Sequence, residues 1–105
     1  MNSYEVLFRP RARNDLISLY RYIAKQASPR IAANYIGRLE KACLSLTTLP
    51  NRGAAISSHI SGLRTMGFER RATILFSVGA EKVEILRIYY GGQDLRPELK
   101  KLLGI

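Results

Sequence analysis

The stretch Val83–Tyr90, with the sequence VEILRIYY, carries the strongest strand signal in the chain and decides the fold class. β-Branched and aromatic residues dominate it, and Gly91-Gly92 ends it. Because both alternating sets of side chains are largely apolar, we expect both faces to be covered and the strand to lie in the interior of a sheet. The two sets are Val83, Ile85 and Tyr89, with Arg87 among them, and Leu86, Ile88 and Tyr90.

Two shorter segments before it also have strand character. Ala72–Val78 is rich in β-branched and aromatic residues, and Leu63–Phe68 contains a glycine. The residues 79–82 have the composition of a turn. Before these strands, Pro50-Asn51-Arg52-Gly53 and a polar stretch that includes Ser57-Ser58-His59 are typical of a loop.

The first half of the chain is predicted to be mainly helical. Ser3–Arg9 alternates as a strand does and ends at Pro10, after which apolar residues recur at helical spacing to about Gln26. Ser28-Pro29 is a typical helix start, and the second helix is predicted to run to about Thr48. The short connection implies an antiparallel helical hairpin. Its predicted buried faces are Ala12, Leu16, Leu19, Tyr20 and Ile23, then Ala32, Tyr35, Ile36, Leu39, Ala42, Cys43, Leu46 and Leu49.

The order β-α-α-β-β-β predicts an α+β fold, with a mainly antiparallel sheet and the N-terminal helical hairpin packed on one face. Leu95–Leu103 allows a short C-terminal helix. The length of 105 residues and the absence of a linker or repeat predict a single domain over residues 1–105.

Composition narrows the class of protein. An apolar content of 47% argues against disorder, and no apolar run is long enough to span a membrane. With no secretory signal at the N-terminus, we expect a soluble cytoplasmic domain. The net charge is +9, and 12 of the 17 basic residues are arginine. A field of this sign predicts an acidic partner, either nucleic acid or protein.

No metal, cofactor or nucleophilic site is expected. Cys43 falls on an apolar helix face and is interpreted as a buried small side chain. His59, the only histidine, lies in a polar loop without a second ligand at metal-binding spacing. No phosphate-binding glycine loop occurs. Glu69 and Glu84 lie among arginines, which favours structural salt bridges over general-base roles.

The arginines are the remaining candidates for function. Arg64, Arg70, Arg71 and Arg87 alternate with aromatic residues in the strand region, a pattern that suits single-stranded nucleic acid. However, consecutive tyrosines at 89 and 90 point to opposite faces and cannot form one platform. A ribonuclease also needs a base, and no well-placed base is visible.

The sequence resembles the RelE/ParE toxin superfamily, specifically its ParE-like branch, from Tyr4 to about Leu95. The runs that carry the resemblance are YEVLFRPRARNDLISLYRYIA, ASPRIAANYIGRLEKACLSLTTLPNRG, SGLRTMGFERRATILFSV and VEILRIYYGGQDL. Its most distinctive parts are Pro10, Ala12 and Asp15-Leu16, then Leu49–Gly53, Gly62–Arg64 and Ile88–Asp94.

The resemblance implies the toxin half of a type II toxin–antitoxin pair, in a hetero-oligomeric complex with a ParD-like antitoxin. It implies inhibition of DNA gyrase by direct protein binding, with a role in growth regulation and plasmid stabilisation. DNA would be contacted only through the antitoxin, and no membrane partner is expected. Two alternatives stay open: a RelE-like ribosome-dependent mRNA endonuclease, and a weakly toxic module that binds antitoxin.

The resemblance carries over to Arg64, Arg87 and Tyr89, with Arg87 favoured as a structural brace. No catalytic residue is assigned. The candidates for target binding are Arg64, Arg70, Arg71, Arg87 and Tyr89. The candidates for antitoxin binding are Leu19, Tyr22, Tyr35, Arg38, Phe68, Ile74 and Phe76. The exposed helix faces and an unpaired sheet edge are the expected docking surfaces.

Overall fold

A computed structural model describes residues 3–56 and 60–104. The predicted α+β order is confirmed, including the short C-terminal helix, and a two-residue strand is added to it. Ser57, Ser58 and His59 lie outside the described residues. The elements are β1 (Glu5–Phe8), α1 (Pro10–Gln26), α2 (Pro29–Leu44), a 3-10 turn (Ser45–Thr47), β2 (Ala54–Ala55), β3 (Leu63–Phe68), β4 (Ala72–Val78), β5 (Lys82–Tyr90) and α3 (Arg96–Leu103).

The five strands form one mixed sheet in the order β1-β5-β4-β3-β2. β2, β3, β4 and β5 pair antiparallel, whereas β1 runs parallel to β5, with Phe8 opposite Ile85. β5 therefore lies in the interior of the sheet, as its two apolar faces predict. The parallel pair is possible because the helical hairpin separates the two strands and carries the chain across the sheet.

The start of α2 follows from its first residues. The side chain of Ser28 accepts a hydrogen bond from the backbone N–H of Ile31 at 3.1 Å, and Pro29 occupies the first turn. α2 ends at Leu44, and a 3-10 turn replaces the predicted last α-helical turn. Tyr20 and Leu49 are exposed, so the prediction that they belong to the buried faces is wrong.

The sheet has an apolar cluster on each face. The larger cluster lies beneath α1 and α2 and contains fully buried Leu39, Phe76 and Ile85. The smaller one, on the opposite face, consists of Leu63, Leu75 and Tyr89, against which Leu95 and Leu99 pack. These last two residues belong to the C-terminal segment, so α3 covers the face that the helical hairpin leaves open.

A bulge in β5 corrects the predicted alternation of its side chains. Phe76 is opposite Ile85, but the next residue back, Leu75, is opposite Arg87, so β5 contains one extra residue at this point. Beyond the bulge the faces exchange. Ile88 belongs to the larger cluster with Ile85, and Tyr89 lies in the smaller cluster. The predicted set that grouped Tyr89 with Val83 and Ile85 is therefore wrong.

Candidate functional site

Arg87 is fastened by carboxylates from two helices. Its Nε and Nη2 donate to the two carboxylate oxygens of Asp15 on α1 at 2.7 and 3.0 Å, and its Nη1 donates to Glu98 on α3 at 3.1 Å. The guanidinium also lies 5.2 Å from the centre of the Tyr89 ring. The hydrogen bonds to Asp15 raise the pKa of Arg87. Since all three charged side chains are less than 20% exposed, Arg87 is a brace inside the fold.

The free edge of β5 beyond β1 is closed by side chains. Strand β1 pairs with β5 only as far as Ile85. Beyond that point the N–H of Ile88 donates to Asp15 Oδ2 at 2.8 Å, and the N–H of Tyr90 donates to Gln93 Oε1 at 2.7 Å. Both outward N–H groups are thereby satisfied without a neighbouring strand.

Arg64 supports the loop before β2. Its Nε donates to the carbonyl of Arg52 at 2.9 Å, and its Nη2 donates to the carbonyls of Asn51 and Gly53 at 3.1 and 3.2 Å. Gly53 has a φ of 72°, and a Cβ at this position would collide with the carbonyl of Thr65. The guanidinium of Arg64 thus connects two motifs of the sequence, because Arg64 belongs to Gly62–Arg64 and binds carbonyls of Leu49–Gly53.

The turn between β3 and β4 is strained. Glu69 and Arg70 have φ values of 49° and 61°, and the N–H of Arg71 donates to the carbonyl of Phe68 at 3.1 Å. Two consecutive left-handed residues are typical of a type I′ hairpin turn, where glycine and asparagine are preferred. Arg38 of α2 binds Glu69 through two hydrogen bonds of 2.8 and 3.0 Å and lowers its pKa. This clamp holds the turn against the hairpin.

A series of aromatic rings crosses from α1 to this turn. Tyr22 contacts Tyr90 with 6.1 Å between ring centres, Tyr90 contacts Tyr35 at 5.8 Å, and Tyr35 contacts Phe68 at 5.6 Å, all edge to face. The guanidinium of Arg38 lies 5.5 Å from the Tyr35 ring. Burial raises the pKa of Tyr35 to about 12, and its hydroxyl has no hydrogen-bond partner among the described residues.

The structure does not bring the candidate residues together in one site. Of the target-binding candidates, Arg87 and Tyr89 are in contact, whereas Arg64 serves the loop and Arg70 and Arg71 lie at the strained turn. Four antitoxin-binding candidates, Tyr22, Tyr35, Arg38 and Phe68, belong to the aromatic series or contact it.

The remaining antitoxin-binding candidates are core residues. Ile74 and Phe76 are fully buried beneath the helices, and Leu19 is nearly so. This placement corrects the expectation that Ile74 and Phe76 face a partner, because β4 turns them toward the larger cluster.

Sequence reasoning assigned no site role to Asp15, Tyr90, Gln93 or Glu98. Three of them lie in the motifs that carry the resemblance, and this was the available signal. Glu98 lies outside those motifs, and only the packing of α3 brings it to Arg87.

The expected salt bridges of the two strand carboxylates are confirmed. Glu69 pairs with Arg38, and Glu84 pairs with Arg9 at 3.4 Å. Cys43 is buried, as predicted, and burial raises its pKa to about 12. Within residues 3–56 and 60–104, no three His, Cys, Asp or Glu side chains are grouped closely enough to hold a metal ion. No helix in these ranges is long and apolar enough to cross a membrane.

Comparisons with known proteins place this architecture. Over 85% of its length the chain superposes on a chain of the chromosomal ParDE toxin–antitoxin system from P. aeruginosa, with a TM-score of 0.72 and 24% identity, covering 97% of that chain. It also matches a chain of the RelBE2 toxin–antitoxin complex from Mycobacterium tuberculosis, with a TM-score of 0.61, 27% identity and coverage of 89% and 97%. No curated protein sequence gives a significant match.

A family model gives the more specific result. The model described as "ParE toxin of type II toxin-antitoxin system, parDE" matches residues 6–95, which include both helices of the hairpin, the Asp15–Arg87 brace and all five strands apart from Glu5. The chain therefore belongs to the ParE toxin family of type II toxin–antitoxin systems.

Proposed function

We propose that this ParE-family toxin inhibits DNA gyrase by direct protein binding in the cytoplasm and is neutralised by a ParD-like antitoxin. The observation that carries the proposal is the surplus of basic side chains without acidic partners. Arg21, Lys25, Arg30 and Lys41 are exposed on α1 and α2, and none of them forms an ion pair within the described part of the chain. A basic helical face of this kind steers an acidic protein segment toward it.

The arrangement of the strand arginines favours binding over catalysis. Cleavage of RNA requires cations at the phosphate, together with a base and an acid in reach. Arg87 is bonded to two carboxylates and Arg64 to three carbonyls, so both are used inside the fold. Tyr89 is 6% exposed and its hydroxyl is buried. These contacts engage both guanidinium groups and bury the Tyr89 hydroxyl, which supports binding over catalysis.

The antitoxin's main-chain docking site is proposed at the outer edge of β3. Strand β2 pairs only with Arg64 and Thr65. The carbonyl of Leu63 accepts from Ile56 on the outer side, and alternation then directs the backbone groups of Gly67 outward as well. A strand added here would run beside Phe68 and close to Arg38 of α2, which suits an acidic and apolar segment.

A supercoiling assay tests the gyrase claim. Purified toxin in molar excess is expected to block supercoiling by gyrase, and addition of the cognate antitoxin is expected to restore it. The matched control is toxin mixed with antitoxin before gyrase is added. Full supercoiling activity at high toxin excess would rule out gyrase as the target.

Ribosome-dependent cleavage of mRNA is the enzymatic alternative to gyrase inhibition, and we retain it because the chain is similar to a chain of the RelBE2 complex. Primer extension on translated mRNA during toxin-induced growth arrest measures it directly. Intact transcripts in arrested cells exclude this activity, whereas cleavage within codons would replace the gyrase proposal.

Growth itself tests the third possibility, a module that binds antitoxin with little toxicity. Expression of the toxin alone is expected to arrest growth, and co-expression of an acidic protein encoded beside its gene is expected to relieve the arrest. Normal growth at a verified level of folded toxin would favour the binding module over both toxic mechanisms.

A further inference from the structure

A groove of about 490 Å³ opens between α1 and the C-terminal end of β5. Leu19 and Ile88 form apolar wall, the rings of Tyr22 and Tyr90 stand at its side, and Arg71 contributes a guanidinium. The volume lies within the range of pockets that enclose a large side chain or a small ligand. Tyr22 and Arg71, which were candidates for different partners in the sequence analysis, line the same groove.

The groove cannot accept a partner through strand addition. It borders the edge of β5, where the outward N–H groups of Ile88 and Tyr90 already donate to Asp15 and Gln93. An extended peptide at this edge would leave its own carbonyls without donors, which is costly once they are buried. A ligand at this edge must therefore bind by its side chains. This distinguishes the β5 edge from the outer edge of β3.

The walls suit a large apolar side chain. Tyr22 is 54% exposed although it stacks edge to face on Tyr90, so part of its ring remains available for contact. At the mouth, a Cβ added to Gly91 or Gly92 would meet no atom within 4 Å. The two glycines thus leave open space beside the aromatic rings, where an incoming ring or branched chain can be buried.

The charge of the groove is positive. Asp15 is its acidic member, and its carboxylate is neutralised by two hydrogen bonds from Arg87. Arg71 forms no ion pair within residues 3–56 and 60–104. With a net charge of +9 on the whole chain, an anionic occupant is favoured over a neutral or cationic one.

We propose that this groove binds one large apolar side chain of the antitoxin's acidic segment, with a carboxylate adjacent in that segment pairing with Arg71. The inference rests on the proposed function and adds a second anchor, distinct from the edge of β3. A central apolar anchor beside a charged contact is the arrangement in which a few residues supply most of the binding energy.

Two pairs of variants test the groove. Tyr22→Ala and Arg71→Gln alter it, whereas Tyr20→Ala and Arg70→Gln remove similar exposed side chains outside it. The probe is the purified acidic protein encoded beside the toxin gene, titrated by calorimetry. Each groove variant is expected to weaken binding about tenfold or more, and each control about twofold or less.

A third variant separates loss of a contact from loss of folding. Gly92→Leu adds a side chain to the open mouth, where nothing crowds it, and leaves Tyr22 and Arg71 in place. It is expected to weaken antitoxin binding by a similar factor while its thermal unfolding matches that of the unaltered chain. Unchanged affinity in Gly92→Leu would contradict occupancy of the groove.

The outcomes distinguish this inference from the proposed function. If the antitoxin binds the groove variants and the control variants as tightly as the unaltered toxin, the groove is not an anchor, but the toxin–antitoxin pair stands. No binding by the unaltered toxin contradicts both. If a single-stranded RNA oligonucleotide binds and its affinity depends on Tyr22 and Arg71, the occupant of the groove is nucleic acid and not the antitoxin segment.

Discussion

Asp15 on α1 and Arg87 on β5 stand 72 positions apart in the chain and form a bidentate ion pair that also caps the N–H of Ile88. One carboxylate thus joins the helical hairpin to the sheet and closes a strand edge. The same guanidinium reaches Glu98, which in turn accepts from Arg11 at 2.7 Å. These contacts connect α1, β5 and α3 through charge, in addition to the apolar packing of Leu95 and Leu99 on the sheet.

Removal of the Asp15 charge is expected to destabilise the fold. Asp15→Asn leaves the largely buried Arg87 with one carboxylate fewer, and we expect the free energy of unfolding to fall by about 2–4 kcal/mol. Urea denaturation measures this. The matched control is Asp94→Asn, which breaks the exposed pair with Arg96 and should change stability little. Equal losses in both variants would contradict the bracing role.

A charge placed in the larger apolar cluster is expected to unfold the domain. Leu39 of α2 is fully buried, so Leu39→Glu brings an unpaired carboxylate into the core. Circular dichroism should show loss of cooperative thermal unfolding. Leu49→Glu makes the same chemical change at a side chain that is 61% exposed and should remain folded. A cooperative transition in Leu39→Glu would mean that the helix face is assigned wrongly.

Relief of backbone strain is expected to stabilise the turn between β3 and β4. Arg70 has a φ of 61°, which costs a residue with a Cβ more than it costs glycine. Arg70→Gly should raise the free energy of unfolding by about 0.5–1 kcal/mol after the entropy of the unfolded chain is included. Arg71→Gly, at a position without positive φ, should lower it. The same sign of change in both variants would contradict the strain.

Alkaline pH is expected to weaken the fold through Cys43. Burial raises the pKa of this thiol from 9.0 to about 12. Between pH 9 and about pH 12 the Cys43 thiol is ionised in the unfolded chain and protonated in the folded chain, so the free energy of unfolding falls as the pH rises. The contribution is about 1.4 kcal/mol per pH unit, and it is fully present below pH 9. Urea denaturation at increasing pH measures the slope. Cys43→Ala should reduce the slope, and an unchanged slope would show that the thiol ionises freely.

Local signals in the sequence predicted the hairpin and the strands well. Ser28-Pro29 begins α2 because its side-chain cap is a local interaction, and Cys43 is buried because the helical spacing places it inward. The bulge in β5 has no such signal. An added residue at Leu86 exchanges the faces of Tyr89 and Ile88, and simple alternation cannot include it.

The candidate site was harder to predict for the same reason. Arg87 was expected to act as a brace, and that expectation agrees with its two carboxylates, but neither partner follows from spacing in the chain. Ile74 and Phe76 were candidates for antitoxin binding, and only the packing of α1 and α2 shows that their face of β4 is covered. Pairings between distant segments decided these positions.

The parallel pairing of β1 with β5 has a consequence for folding during synthesis on the ribosome. Glu5–Phe8 leaves the ribosome before its partner, Lys82–Tyr90, and two long helices and three strands are made between them. Contacts between such distant segments form slowly, because the chain between them loses conformational entropy before the new contacts stabilise the fold. The sheet therefore cannot be completed until Tyr90, the last residue of β5, has been synthesised. A polypeptide released before β5 is made would lack the strand that pairs with β1 and the arginine that binds Asp15, so the fold requires synthesis at least through Tyr90.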